Sequence, residues 1–216
     1  TCKFCATGKL NRERNLEFDE IYDQVAIIRE QSEKQYNMQL SNVVYMGMGE
    51  PLLNYANVLK SIEYITSPQG LHMAPRRITV STAGIAKMIK KLGDDQVKFN
   101  LALSLHAAND KKRDKIMPIN ESNNLEVLED ALNYFYDKTG TRVTLEYIVF
   151  KNFNDGMDDA RELAAFAKRV VSKINLIEYN PIDGGEFQRT TDERVNAFMS
   201  ELWRNGLVVN LRRSRG

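Results

Sequence analysis

Two hydrophobic rhythms take turns along this chain: short apolar runs, and longer stretches with apolar residues every three or four positions. Strands and helices alternating in this way imply a parallel sheet with crossover helices. Strand-like runs fall at 41–47 (SNVVYMG), 77–82 (RITVST), 99–105, 142–150, 174–179 and 207–211. Helical spacing falls at 17–33, 54–66, 85–92, 125–136, 158–171 and 192–205. In 17–33 the apolar side is Phe18, Ile21, Val25 and Ile28, set against a charged face. Gly93 is predicted to stop the third helix, and Gly140 separates the fourth from a β-branched run. The strands are nearly continuous apolar runs, so both of their faces are predicted to be buried. A chain of 216 residues, 43% hydrophobic, is expected to build one core and one domain. A doubly wound sheet and a barrel both satisfy the pattern. No repeat, low-complexity tract or linker interrupts it, and 152–156 and 183–185 read as loops.

The special residues gather at strand ends. Gly47-Met48-Gly49-Glu50-Pro51, Ser81-Thr82-Ala83-Gly84, Ser104-Leu105-His106 and Asn180-Pro181 each follow the C-terminal end of a strand. In barrels and open α/β sheets alike, that rim carries the active site. Each residue also has an ordinary explanation. Ser81 and Ser104 suit strand-end hydrogen bonds to backbone, Asn180 suits a turn before proline, and a lone His106 suits a satisfied structural position. Two glycines around Met48 let backbone approach a ligand closely. Together these segments put hydroxyls, an amide, an imidazole and a carboxylate on one rim, as a binding site needs.

Net charge is +1, which says nothing about partners, because nucleic-acid footprints depend on local patches. Basic clusters occur at Lys87-Lys90-Lys91, Lys111-Lys112-Arg113-Lys115 and Arg212-Arg213-Arg215. The first two read as solvated helix faces; the third closes a strand and could hold RNA phosphates. No apolar run of about 18 residues appears, so no membrane span is expected, and no signal peptide is visible at Thr1. The only cysteines are Cys2 and Cys5. Two thiols so close cannot staple a domain this size, which points to a reducing, cytoplasmic setting. By spacing alone, Cys2-Lys3-Phe4-Cys5 fits half a zinc site, a cluster ligand pair, a redox pair or an incidental pair.

Several segments together resemble a known family. Cys2-Lys3-Phe4-Cys5-Ala6-Thr7-Gly8 is similar to the last two cysteines of the radical S-adenosylmethionine (SAM) signature, C-x3-C-x2-C. The segments 46–53 (MGMGEPLL), 76–84 (RRITVSTAG), 104–107 (SLHA), 117–120 (MPIN), 179–181 (YNP) and 212–216 (RRSRG) stand in the same order as in the RlmN family of dual-specificity adenine-C2 RNA methyltransferases. The likeness covers essentially the whole chain. It implies an α/β fold, the partial (β/α)6 radical SAM barrel, truncated at both ends. It implies that Cys2 and Cys5 hold two irons of a [4Fe-4S] cluster, and that Gly49, Glu50, Ser81, Ser104, Leu105, His106 and Asn180 contact SAM, Leu105 through its backbone. The partners it implies are 23S rRNA, tRNA and an electron donor such as a flavodoxin-type reductant. It also explains the need for radical chemistry, since carbon 2 of adenine is too electron-poor to take a methyl cation. In the family a cysteine first accepts the methyl group and then carries it as a radical to the ring.

The resemblance places further parts outside 1–216. The first cluster cysteine and a general-base glutamate are expected before Thr1, with a small RNA-binding accessory domain, and the methyl-carrying cysteine soon after Gly216. The 216 residues are thus expected to be the core domain of a longer enzyme and to be inactive alone, because both thiols are committed to the cluster. The nearest alternative is the sister family that methylates carbon 8 of the same adenosine and confers antibiotic resistance; Pro51 after Gly49-Glu50 favours the C2 branch. A glycyl-radical activase is disfavoured by 76–84 and 212–216. A non-catalytic RNA- or zinc-binding barrel is the alternative from another class.

Overall fold

In the computed structural model, residues 2–213 are described. Six strands, β1 (Val43–Tyr45), β2 (Ile78–Thr82), β3 (Asn100–Ser104), β4 (Val143–Val149), β5 (Ser172–Glu178) and β6 (Val209–Arg212), form one sheet. Their spatial order is their chain order, and every neighbouring pair is parallel. Helix α1 (Phe18–Tyr36) precedes β1, α2 (Tyr55–Thr66) leads to β2 and α3 (Ala86–Asp94) to β3. Helices α4 (Asp110–Ile116) and α5 (Leu125–Thr139) lead to β4, α6 (Met157–Arg169) to β5 and α7 (Asp192–Arg204) to β6. A doubly wound sheet reverses strand order at a switch point. No reversal occurs here, so the sheet is the open, curled barrel. Arg212 Nη1 lies 3.9 Å from Met46 Sδ, which brings the end of β6 across to the chain just past β1.

The elements form where local chemistry supports them. Asn109, Asn124 and Thr191 cap α4, α5 and α7 by accepting the backbone N–H of Lys112, Val127 and Arg194. Gly140 closes α5 in the left-handed region at φ 67°, donating its N–H to the Tyr136 carbonyl at 2.7 Å. On β5 the period of two is plain: Ile174, Leu176 and Glu178 are buried, and the residues between them are half-buried. One face of the sheet lies under the helices, where Tyr147 packs on Phe198 of α7 at 5.4 Å between ring centroids. The other face lines the lumen.

Three local expectations are corrected. The first strand spans three residues rather than 41–47 and is not buried: it has one neighbour only, and Val44 is 53% exposed. Gly93 does not stop α3, whose cap is Asp95. It is buried inside the helix, where a Cβ would meet Tyr134 Cδ1 at 3.3 Å and Phe135 Cα at 3.4 Å. Its role is close approach of α3 to α5. The cluster Lys111-Lys112-Arg113-Lys115 is not a wholly solvated face, because Arg113 is completely buried.

Candidate active site

The CxxC loop sits on the end of α4. The Lys3 N–H donates to the Ile116 carbonyl at 3.0 Å, the Cys5 N–H reaches back to the Cys2 carbonyl at 3.4 Å, and a 3-10 turn over Ala6–Lys9 follows. Phe4 anchors the loop: its ring stands edge-on to His106 at 4.8 Å and lies 5.4 Å from Phe150. Both thiols are free and half-buried. Burial raises the Cys2 thiol above its ordinary value, and neighbouring Cys5 and Glu50 push the same way, while Arg113 pulls it down.

The first rim loop is organised by Glu50. Its Oε1 accepts the Leu52 N–H at 3.0 Å and its Oε2 the Ala83 N–H at 2.7 Å, so one carboxyl ties the end of β1 to the end of β2. Burial raises its pKa against the pull of those bonds. Gly49 beside it is exposed at φ 90°, a region that disfavours L side chains, and a Cβ there would meet nothing within 4 Å. The glycine thus leaves bare backbone facing open space.

Ser81 and Ser104 come together across neighbouring strands, with 3.4 Å between their hydroxyl oxygens. Leu105 is fully buried; its N–H donates to the Glu146 carbonyl and its own carbonyl accepts Arg113 Nε. His106, 4% exposed at φ 56°, accepts the Ile148 N–H on Nδ1 at 3.1 Å, and its carbonyl accepts Asn154 Nδ2 at 2.7 Å. Burial, and then Arg113, hold its pKa down at about 3. The imidazole is therefore neutral, and with Nδ1 accepting, the proton sits on Nε2. Asn180 ends β5 on the same rim, two strands from Ser104, and is exposed.

Beneath the rim lies a residue that the sequence pattern did not single out for the site. Arg113 donates from Nε to the Leu105 carbonyl at 3.1 Å and from Nη1 to Asn120 Oδ1 at 2.6 Å. From Nη2 it donates to the carbonyls of Ala83 at 2.7 Å and Ser104 at 3.3 Å. One side chain thus braces the ends of β2 and β3 and the 117–120 motif. The only signal in the sequence was that Arg113 shares a helix face with Ile116. Three lumen residues, Glu146, Asn175 and Asn210, were missed as well. Glu146, 3% exposed, accepts Asn175 Nδ2 at 2.9 Å, and Asn210 lies 3.4 Å beyond Asn175. Arg212 approaches Glu146 Oε2 at 3.7 Å, but that oxygen accepts no hydrogen bond among the described residues. Burial raises the Glu146 pKa. Polar residues inside otherwise apolar strand runs were the available signal. Of the basic cluster at 212–215, Arg212 and Arg213 face the buried carboxylates Glu146 and Glu178 at 3.7 Å each. Arg215, with 214–216 of the RRSRG segment, lies outside the described residues.

A parallel six-stranded barrel with paired thiols beneath a polar C-terminal rim is the frame of a radical SAM protein. The family model described as the radical SAM superfamily matches residues 1–167, and the chain belongs to that superfamily. The likeness to RlmN proteins is equally direct. The chain is 61% identical over 216 residues to a Cytophaga hutchinsonii protein named "Probable dual-specificity RNA methyltransferase RlmN", covering all of this chain and 59% of that protein. A Christiangramia forsetii protein of the same name is 56% identical, again over the full chain and 61% of the relative. The chain thus spans about three fifths of the length of these relatives. Among solved structures, a radical SAM methyltransferase from Sphaerobacter thermophilus superposes with a TM-score of 0.96 at 36% identity, covering the whole chain and 63% of its own.

The superfamily implies SAM and a [4Fe-4S] cluster, and the residues present fit both in part. Two unoxidised, half-buried thiols offer soft ligands suited to iron. Among the described residues no three His, Cys, Asp or Glu side chains converge as a metal site. The groups that would suit SAM are the bare backbone at Gly49 and the Ser81–Ser104 hydroxyl pair.

Proposed function

We propose that the full-length protein is a radical SAM RNA methyltransferase that forms 2-methyladenosine in 23S rRNA and in tRNA next to the anticodon, through a methyl-cysteine intermediate. The observation that carries this reading is the 61% identity, over every residue of the chain, to a relative named as an RlmN methyltransferase. Residues 1–216 are read as its radical SAM core. The RNA-binding accessory domain and the methyl-carrying cysteine belong to other parts of the full-length protein. Its cofactors are the cluster and SAM, its reductant a flavodoxin-type donor and its setting the cytoplasm. Among the described residues no helix is long and apolar enough to cross a membrane.

In this reading Cys2 and Cys5 hold two cluster irons. Bound together, the cluster and SAM supply radical chemistry, which an electron-poor ring carbon needs. The protein's own residues bind and orient. Gly49 presents backbone, and the Glu50 carboxylate keeps lone pairs for the SAM ammonium group beyond its two backbone bonds. Ser81, Ser104 and Asn180 offer hydrogen bonds to SAM. Leu105 and His106 complete the contact set while their backbone bonds hold the end of β3 in place. With both thiols given to the cluster, the 216 residues alone turn over no RNA.

The test is mass spectrometry of digested ribosomal and transfer RNA after reaction with the full-length protein. The expected product is 2-methyladenosine in both. A carbon-8 product moves the protein to the resistance branch. Zinc in place of iron and sulfide, with no methylation, leaves a binding barrel instead.

A further inference from the structure

Arg113 stands out once its partners are counted by charge. It is completely buried, and among the described residues it forms no ion pair. All its acceptors are neutral: the carbonyls of Ala83, Ser104, Leu105 and Asn123 and the amide oxygen of Asn120. The carboxylates of Asp110 and Asp114 are held one bond further away, each accepting from Asn120 Nδ2. Burial lowers the Arg113 pKa only to about 10, so the side chain stays cationic at neutral pH. A buried cation without a bonded counter-charge is unfavourable unless an anion approaches it. The CxxC loop lies nearby: Ala83, whose carbonyl accepts Arg113 Nη2, packs against the same apolar cluster as Cys2 and Phe4. That loop hangs on α4 one turn past Arg113, through the Lys3 N–H to the Ile116 carbonyl, and Cys2 packs against the apolar cluster to which Ile116 and Met117 belong.

We propose that Arg113 is a positioning residue for the cluster: its fixed charge, braced under the rim by neutral acceptors, offsets the negative charge of the thiolate-ligated cluster and raises its reduction potential. The proposal rests on the reading of Cys2 and Cys5 as cluster ligands. It follows from general electrostatics, since cluster potentials respond to net charge, hydrogen bonding and burial. Reducing the cluster adds negative charge, and a low-dielectric site with a fixed cation nearby favours that state. The same side chain orients the rim, because it grips the carbonyls at the ends of β2 and β3. Charge and brace are therefore separable by substitution.

The experiment uses the full-length protein, reconstituted with iron and sulfide without oxygen. The cluster midpoint is read by dithionite titration followed by electron paramagnetic resonance. Arg113→Gln removes the charge. It is expected to make reduction at least about tenfold less favourable, a shift of roughly 59 mV to lower potential for a one-electron couple. Arg113→Lys keeps the charge and is expected to stay within about threefold of the parent protein by the same relation. Asp114→Asn, at an exposed position, removes a distant counter-charge and keeps an amide oxygen for Asn120, so it is expected to shift the potential upward. That variant decides the matter if Arg113→Gln fails to fold. Unchanged potential in Arg113→Gln, an equal fall in Arg113→Gln and Arg113→Lys, or no upward shift in Asp114→Asn overturns the proposal. A parent protein that takes up no iron overturns instead the ligand reading on which it rests.

Discussion

Lowering the pH from 7 to 5 is expected to destabilise the barrel through His106. The imidazole is buried under Phe4, its Nδ1 accepts the Ile148 N–H, and its pKa is held down at about 3, against 6.5 for an unperturbed histidine. The folded ring therefore takes no proton over this range, while the same imidazole in the unfolded chain takes up about three quarters of one. A depressed pKa of this kind contributes stability that is present above pH 6.5 and lost as the pH falls toward 3. Between pH 7 and pH 5 the loss is about 2 kcal/mol. Glu50 and Glu146 act in the opposite sense, because burial raises their carboxyl pKa and the folded state then binds the proton more readily. The His106 contribution is isolated with His106→Asn. Asparagine keeps an acceptor near the Nδ1 position and tolerates the positive φ, but does not titrate. Thermal melts of the full-length parent and variant at half-unit pH intervals are the assay. The variant is expected to start less stable, having lost the ring contact with Phe4, and to lack the added loss between pH 6.5 and 5. Equal pH slopes in the two proteins would refute the reasoning.

Cys5→Ala in the full-length protein is expected to abolish the brown four-iron cluster; iron analysis showing a full complement would remove Cys5 from the ligand set. Asn180→Ala is expected to weaken SAM binding by about 1–3 kcal/mol, and calorimetry with unchanged affinity would take Asn180 out of the site. Gly93→Val is expected to cost about 1–3 kcal/mol by overpacking the α3–α5 contact, measured as a lower urea midpoint; an unchanged midpoint would mean that the two helices can separate freely.

Much of this protein was legible in the order of its residues. The two hydrophobic periods located six strands and most of the helices, because a residue's place on a strand or helix face is a local property. The rim segments around Glu50, Ser81, Ser104 and Asn180 were legible for the same reason, as polar residues that follow apolar runs. Whether those runs wound doubly or curled into a barrel was not local. That depends on which strands become neighbours, and only the β1-to-β6 order settled it. Gly93 looked like a helix stop because nothing near it in sequence reveals that Phe135, 42 positions later, packs against its bare Cα. Arg113 looked like one of four solvated cations; Lys111 and Lys115 are exposed, while Lys112 pairs with the buried Asp159. The partners of Arg113 come from the ends of β2 and β3 and from the 117–120 turn, which meet only in three dimensions. The Glu146–Asn175–Asn210 row was hidden likewise, since parallel register alone brings one residue from each of three strands onto a single line across the lumen.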